Sequence, residues 1–272
     1  MTFLAPFSDS AGPSIASADV AVPRSQSSRR PATLLEWTNP VAYPDSWTLQ
    51  RQFHSARLTE SELDTLMLLE HQPVYTVGRR AAQTDLGMGE AALRRTGAIV
   101  CPVNRGGSVT YHGPGQLVGY PILKLAHYAS GPREYVHLLE DVLISVLTSW
   151  DIPGCRMDNA PGVWVRVGGD DAKVASIGVR LDHGVTLHGF SLNVEMDLSP
   201  FSRIIPCGLA GCRTTSMAEI RGRSIPFRVV ASQVATCFAT VFNLAWRSHR
   251  RESLCPGLAG QQSPRAVREE VD

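Results

Sequence analysis

Cys207 stands between Pro206 and Gly208 in the stretch RIIPCGLAG, Arg203 to Gly211, where the only other ionisable side chain is the leading arginine. Inside an apolar helix a cysteine is filler by default, because a free thiol behaves as a small hydrophobe. Here Pro206 withholds a backbone N–H while Gly208 and Gly211 relax the backbone limits, so the thiol is expected on a turn, within reach of a reaction partner. A thiol attacks as its thiolate, which needs a proton acceptor or a positive charge close by. Lys173, in DDAKVASIGVRL, is one such group: it opens an apolar strand, and alternation puts it on the face of Ala175 and Ile177. If that face is buried, desolvation favours the neutral amine, which can act as a base. A strand-end lysine can equally snorkel into water, and the spacing leaves both readings open. The two residues are 34 positions apart, so only the fold can unite them. Cys212 is a rival thiol; Cys101, Cys155 and Cys237 read as core or turn residues.

The densest segment is RGGSVTYHGPGQLVGYPI, Arg105 to Ile122, with five glycines, one arginine and one histidine among β-branched and aromatic residues. Glycine at this density lets a backbone approach a ligand and turn its N–H groups toward it. A plain hairpin about Gly113, Pro114 and Gly115 is the alternative, and spacing does not separate the two. His112 could serve as a base or an orienting donor, or simply as a structural hydrogen-bonder. No G-x-x-x-x-G-K-[ST] phosphate loop occurs in the chain, which removes the commonest sequence support for ATP use.

The 272 residues are 43% hydrophobic, ample for a sizeable core, and carry a formal net charge of +1 with pI near 7.7. Such balance gives no electrostatic reason to expect nucleic acid or an anionic membrane as partner; a neutral or protein-bound substrate fits better. None of the six cysteines forms a C-x-x-C pair or lies at metal-ligand spacing from histidines, so no metal site is expected. The N-terminal MTFLAPFSDSAGPS lacks a basic start and does not read as a secretory signal, and no apolar run approaches membrane-spanning length. A soluble, reducing, cytoplasmic setting is expected, in which a thiol stays free.

These groups must be held by a scaffold. Residues 1–31 and 251–272 are rich in small and polar letters without periodicity and read as disordered extensions around one domain, 32–250. TESELDTLMLLEHQ has Thr59 three residues before Glu62 and pairs Leu63 with Met67 and Leu66 with Glu70, which predicts a helix from about 60 to 71. PVYTVG and GAIVCPVN read as strands. REYVHLLEDVLISVLTSW, with Val136, Leu139, Leu143, Val146, Leu147 and Trp150 on one face, reads as an amphipathic helix. GVWVRV, KVASIGVRL and VTLHGFSLNV, separated by GGDD and DHG, form an antiparallel meander, and a last helix runs from about Val229 to Trp246. The helices bracket the strands instead of alternating with them. This predicts an α/β protein of the α+β type, with a mixed, largely antiparallel sheet and packed helices, and not a dinucleotide-binding layout.

Taken together and in order, LLEHQPVYTVGR, RGGSVTYHGPGQLVGYPI, KVASIGVR, HGFSLNVEMDLSPF and IIPCG resemble the lipoyl(octanoyl) transferase family over roughly residues 35 to 245. The resemblance implies the fold of the biotin and lipoate protein ligase catalytic domains. It implies transfer of an octanoyl group from octanoyl-acyl carrier protein to lipoyl domains, those of 2-oxoacid dehydrogenase E2 subunits and the glycine cleavage H protein. This is the first step of lipoate biosynthesis and needs no cofactor, because the donor thioester is already activated. It implies Cys207 as the acyl-accepting nucleophile and Lys173 as the lysine that promotes its ionisation. The substrate-binding stretches implied are Arg105, Gly106, Gly107, Ser108, Val109, Thr110, Tyr111 and His112, then Ser176, Ile177 and Gly178, then Gly189, Phe190 and Ser191. The walls of an octanoyl slot are expected around Val109, Ile177 and Phe190.

Overall fold

The computed structural model describes residues 29–209 and 211–252. In chain order the strands and helices are β1 (Arg30–Trp37), α1 (Tyr43–Leu58), β2 (Asp64–Leu69), β3 (Val74–Val77), α2 (Glu90–Arg95), β4 (Ile99–Pro102), β5 (Val109–His112) and β6 (Gln116–Ile122). There follow α3 (Pro132–Thr148), β7 (Gly162–Val167), β8 (Asp170–Asp182), β9 (Val185–Asn193), β10 (Arg213–Thr214), α4 (Met217–Arg221), α5 (Phe227–Val241) and β11 (Leu244–Glu252). Most of 1–31 and 251–272 lies outside the described residues, although β1 and β11 reach into the two stretches expected to be loose.

Among the described residues the strands form two sheets. The larger runs β10-β8-β9-β6-β2-β1-β11, with β7 also pairing β8; the smaller is β4-β3-β5. The larger sheet is mixed: β2, β6, β9, β8 and β7 are antiparallel neighbours, while β1 is parallel to both β2 and β11. Helices cover both of its faces. Leu139, Leu143, Val146 and Leu147 of α3 and Val230, Val234 and Phe238 of α5 close one core with Leu66, Leu68 and Leu117. On the other face Leu49 of α1 packs with Leu35, Met67, Leu69, Val118 and Tyr120.

That double cover explains why residues 64–69 are a strand where a helix was expected. All six side chains of β2 are buried, with Leu66 and Leu68 pointing one way and Met67 and Leu69 the other. A strand buried on both faces reads as an unbroken apolar run, and four apolar letters in succession fit helical spacing equally well. Thr59 is the residue that ends α1, not one that starts a helix. The last helix likewise stops at Val241; Asn243 turns the chain with φ 52°, and Ala245 and Trp246 lie in β11. The meander β7-β8-β9 stands as expected. The hairpin alternative for residues 109–122 does not: β5 pairs only β3 in the smaller sheet, and β6 pairs β2 and β9 in the larger. The Gly113–Gly115 turn therefore carries the chain from one sheet to the other, and a cleft opens where they meet. No helix among the described residues is long and apolar enough to cross a membrane.

Candidate active site

The cleft is lined by the loop before β5, by β5 itself, by the centres of β8 and β9, and by the turn carrying Cys207. About 770 Å³ of space lies between its walls, the open mouth included. Ile177 and Phe190 border the cleft with apolar groups, and Val118, Ala160, Pro161 and Leu209 extend that wall; Val109 adjoins the cleft, but its fully buried side chain packs with Tyr75 and Tyr111 on the other side of the strand.

Cys207 lies in a short 3₁₀ turn, Pro206–Gly208, with φ 59° and ψ 12°. A non-glycine residue in this left-handed region is disfavoured, and such conformations gather at functional sites. The turn is held from below: Ile205 N–H donates to the Asp85 carbonyl at 2.9 Å, and Ser108 Oγ donates to the Asp85 carboxylate. Asp85 thus ties the turn to the glycine-rich loop. The Gly208 N–H donates to the Ile205 carbonyl at 3.2 Å.

Lys173 meets Cys207 in space, with Nζ 3.5 Å from Sγ. The lysine is buried, its ammonium position lies 5.1 Å from the centre of the Trp164 ring, and no carboxylate pairs with it among the described residues. Strict alternation does not describe β8 here. Trp164 pairs Lys173 while Val163 pairs Ala175, so one residue of β8 is extra. Ala172, Val174 and Ala175 consequently enter the helix-side core, whereas Lys173, Ser176, Ile177 and Gly178 line the cleft. Gly162 on β7 makes room for the lysine: a Cβ there would fall 2.8 Å from Lys173 Cε and 2.3 Å from the Ala175 carbonyl oxygen.

Of the residues expected to bind substrate, Arg105, Gly107, Ser108, Val109, Thr110 and His112 line the cleft, together with Ser176 to Gly178 and Gly189 to Ser191. Gly106 and Tyr111 do not. The Gly106 N–H is spent on the Val179 carbonyl at 3.0 Å. Tyr111 alternates to the far side of β5, into a small core with Tyr75 and Phe201. Sequence reasoning missed five polar lining residues: Tyr43, Arg80, Tyr120, Asn159 and His188. Tyr120 closes the glycine-rich string on β6, where every residue is buried and no alternation marks a cleft face. His188 opens the string HGFSLNVEMDLSPF and was passed over beside Gly189, and Arg80 directly follows LLEHQPVYTVGR; Tyr43 and Asn159 have no motif around them.

The polar wall is electrostatically one-sided. Arg105 is buried, donates through Nη2 to the Thr76 carbonyl and hydroxyl at 2.8 Å each, and has no carboxylate partner among the described residues. A guanidinium stays cationic under such conditions, although burial pulls its proton affinity down. The imidazoles beside it are neutral: burial, reinforced by His71 and Arg105, pushes His112 down to about 3, and burial with Arg105 and Arg180 pushes His188 to about 3. Both ring nitrogens of His112 face protein partners, Gln116 Oε1 at 2.7 Å and Thr76 Oγ1 at 3.4 Å, so it is not hydrogen-bonded to Cys207. Cys212 is half-buried, and burial raises its thiol above the ordinary value. A cationic cleft with one strained thiol against an amine suits attack on an electrophilic acyl carbon.

Residues 42–239 match the lipoyl protein ligase A/B catalytic domain. The chain is 42% identical to the octanoyltransferase of Chloroflexus aggregans over 205 residues, 75% of this chain and 92% of that one. It is 42% identical to the octanoyltransferase of Myxococcus xanthus over 205 residues, a match that spans 57% of that longer protein. The octanoyltransferase of Bacteroides fragilis is 40% identical over 202 residues, 71% of this chain and 90% of that one. The fold is similar to the bipartite lipoate protein ligase of Thermoplasma acidophilum solved with its E2 lipoyl domain, with TM-score 0.61, 12% identity, and 83% and 88% of the two chains covered. It is also similar to P. falciparum LipL1 in complex with lipoate, with TM-score 0.62, 14% identity, and 81% and 66% covered.

Proposed function

Because the chain belongs to the octanoyltransferases of the lipoyl protein ligase A/B catalytic family, we propose that it moves an octanoyl group from octanoyl-acyl carrier protein to the lysine of a lipoyl domain, through a thioester on Cys207. The observation that carries this reading is the 3.5 Å approach of Lys173 Nζ to Cys207 Sγ in a cleft with apolar wall.

Lys173 takes the thiol proton, and the thiolate adds to the carbonyl carbon of the donor thioester. The tetrahedral oxyanion collapses, the bond to the carrier sulfur breaks, and the carrier thiol leaves with the proton held by Lys173. The acceptor's lysine amine then adds to the octanoyl-enzyme; the Cys207 sulfur departs, an amide forms, and the amine's proton returns to the Lys173–Cys207 pair. With the Gly208 N–H already engaged, the main chain at Gly107 and Ser108 is the better candidate to meet the oxyanion. One such donor is typically worth about 3 to 4 kcal/mol of barrier. Arg105 adds positive charge to the same wall, and no nucleotide is needed because the thioester is already activated. The acceptors expected are the lipoyl domains of 2-oxoacid dehydrogenase E2 subunits and the glycine cleavage H protein, the catalytic domain is residues 32–250, and a reducing cytoplasm keeps Cys207 free.

Intact mass after mixing with octanoyl carrier protein tests the reading. One octanoyl group is expected on the wild type and on Cys212→Ser, and none on Cys207→Ser. Acylation of a lipoyl domain from free octanoate that requires ATP and survives Cys207→Ser would replace it with a ligase, the activity named for its structural neighbours.

A further inference from the structure

From Arg105, whose charge faces the cleft, a row of buried polar side chains runs behind it that otherwise has no part in the transfer steps. Arg105 Nη2 lies 2.8 Å from Thr76 Oγ1, which lies 3.4 Å from His112 Nε2. His112 Nδ1 lies 2.7 Å from Gln116 Oε1, and Gln116 Nε2 lies 2.9 Å from Asn193 Oδ1. Asn193 Nδ2 lies 2.9 Å from the Thr215 carbonyl, and the Thr215 N–H lies 3.0 Å from the Lys173 carbonyl. All six residues from Arg105 to Thr215 are buried, so every group must be matched.

The two ends leave one solution for the direction of these bonds. A backbone carbonyl only accepts, so the Asn193 amide nitrogen must face Thr215 and its oxygen must face Gln116. The Gln116 nitrogen then donates to Asn193, and with its second hydrogen to the Tyr111 carbonyl at 3.2 Å, which independently fixes the same orientation. Gln116 Oε1 is left as acceptor, so His112 carries its hydrogen on Nδ1 and its lone pair on Nε2. Thr76 donates to that lone pair and accepts from Arg105, which has only donors. Every link points the same way, from the guanidinium to the Lys173 main chain, the arrangement in which successive hydrogen bonds reinforce one another.

The last links fall where the candidate site is least supported. β10 is two residues long, pairs Arg213 with Ala172 and Thr214 with Lys173, and closes the loop that carries Cys207 and Cys212. So short a strand has almost no ladder of its own. The Asn193–Thr215 bond ties its end past β8 to β9, one strand further into the sheet. We propose that Gln116 and Asn193 are positioning residues that hold the end of the Cys207 loop against Lys173, acting through the main chain of Thr215 and fixing His112 as the Nδ1–H tautomer. The inference rests on the reading that Lys173 and Cys207 form the reacting pair. Misplacement by about 1 Å can cost on the order of 100-fold in rate, so loss of the tie is expected to slow acylation about 10- to 100-fold.

The test uses the full chain and two measurements. Nitrogen-15 NMR of histidine-labelled protein, with His112 assigned by its loss in His112→Gln, is expected to report a neutral ring bearing hydrogen on Nδ1. A hydrogen on Nε2, or on both nitrogens, overturns the assigned direction. The second measurement is the pH dependence of Cys207 alkylation by iodoacetamide, alongside the single-turnover rate of octanoyl-enzyme formation, in wild type, Lys173→Met, Asn193→Asp and Gln116→Met. The Asn193→Asp change keeps the size and, as the carboxylate, has no donor for Thr215, and Gln116→Met removes the link without adding charge. Lys173 on β8, Arg80 and Arg105 on the side of the glycine-rich loop, Asp85 beneath the turn, Tyr43, Tyr120 and the neutral imidazoles of His112 and His188 in the cleft, and Cys212 ahead of β10 are the charged or titratable groups disposed about this thiol. Both tie variants are expected to shift the alkylation inflection in the direction Lys173→Met shifts it. If Lys173→Met leaves the inflection in place, the reacting pair itself is wrong. If Lys173→Met moves it while folded Asn193→Asp and Gln116→Met match the wild type, only the positioning inference fails.

Discussion

Lys173 and Cys207 approach to 3.5 Å although they belong to elements that meet only through the fold, β8 and the turn before β10. The amine rests over Trp164, whose ring face attracts a cation, and its stem crosses the space left by the missing side chain of Gly162. A positioned proton acceptor contributes about 10²- to 10⁴-fold. Lys173→Met is therefore expected to slow octanoyl-enzyme formation by that range while the lipoyl-domain step from a preformed acyl-enzyme stays measurable. Rapid-quench mass spectrometry reads both, and a wild-type acylation rate in the variant would remove the lysine from the chemistry.

Cys212 offers an internal control. Burial raises its thiol, so near neutral pH it stays protonated and slow. Peptide mapping after brief iodoacetamide treatment at pH 7 is expected to find label at Cys207 before Cys212, and Cys212→Ser should keep full transfer activity. Label arriving first at Cys212 would reverse the assignment of nucleophile.

The reactive turn stores strain that can be released. Cys207 sits at φ 59°, a region in which a Cβ costs about 1 to 2 kcal/mol and glycine costs nothing. Against that, glycine loses about 0.5 to 1 kcal/mol more chain entropy than alanine on folding. Cys207→Gly should thus melt at or slightly above Cys207→Ala; a midpoint several degrees lower would mean the left-handed turn is not populated in solution.

What the chain discloses about itself divides along physical lines. The nearness of the thiol, the lysine and the glycine-rich loop was expected from the strings that carry the family resemblance, such as IIPCG and KVASIGVR, whereas residue type and spacing alone left the lysine and the loop open. β2 was not legible, since covering both faces of Leu66–Leu69 erases the period of two. Helix α1 was missed for a different reason: its buried stripe is Ser46, Gln50, His54 and Arg57 beside Tyr43 and Leu49, polar groups at helical spacing. Their burial is offset by hydrogen bonds, Gln50 Oε1 accepting from the His188 N–H, His54 meeting the Asp182 carbonyl and Arg57 donating to Asp64, although Gln50 Nε2 has no partner among the described residues. Hydrophobic periodicity cannot report a face held by hydrogen bonds. The same holds for Tyr43 and His188 in the cleft, and the extra residue in β8 is invisible to any alternation rule.

The neutral histidines carry a cost in acid. His71 is pushed down to about 4 by burial, against the opposing hydrogen bond to the Val41 carbonyl, and His112 and His188 go to about 3, all from an ordinary 6.5. Their folded values are depressed, so below pH 6.5 the unfolded chain binds protons that the folded chain refuses, and stability is lost as pH falls toward 4. Each group contributes up to about 1.4 kcal/mol per pH unit inside that window. The urea midpoint is expected to drop steeply between pH 7 and pH 5, and His71→Gln should flatten the drop. The same values predict no histidine inflection in the rate between pH 5 and 8.

The slot sets a chain-length rule that can be measured. Each methylene moved from water to apolar wall is worth about 0.8 kcal/mol, so hexanoyl carrier protein should fall below octanoyl by about 1.6 kcal/mol, roughly 15-fold in kcat/KM. Ile177 supplies part of that wall and is only half-buried, so replacing it disturbs the core less than altering buried Phe190. In Ile177→Ser a hydroxyl replaces the aliphatic surface, the gain from the outer carbons shrinks, and the octanoyl-to-hexanoyl ratio is expected to fall several-fold. Thermal unfolding run beside the kinetics separates a damaged fold from a changed slot. If the ratio stays at its wild-type value in a folded variant, the acyl chain does not pass Ile177, and its path must follow Val118 and Leu209 instead.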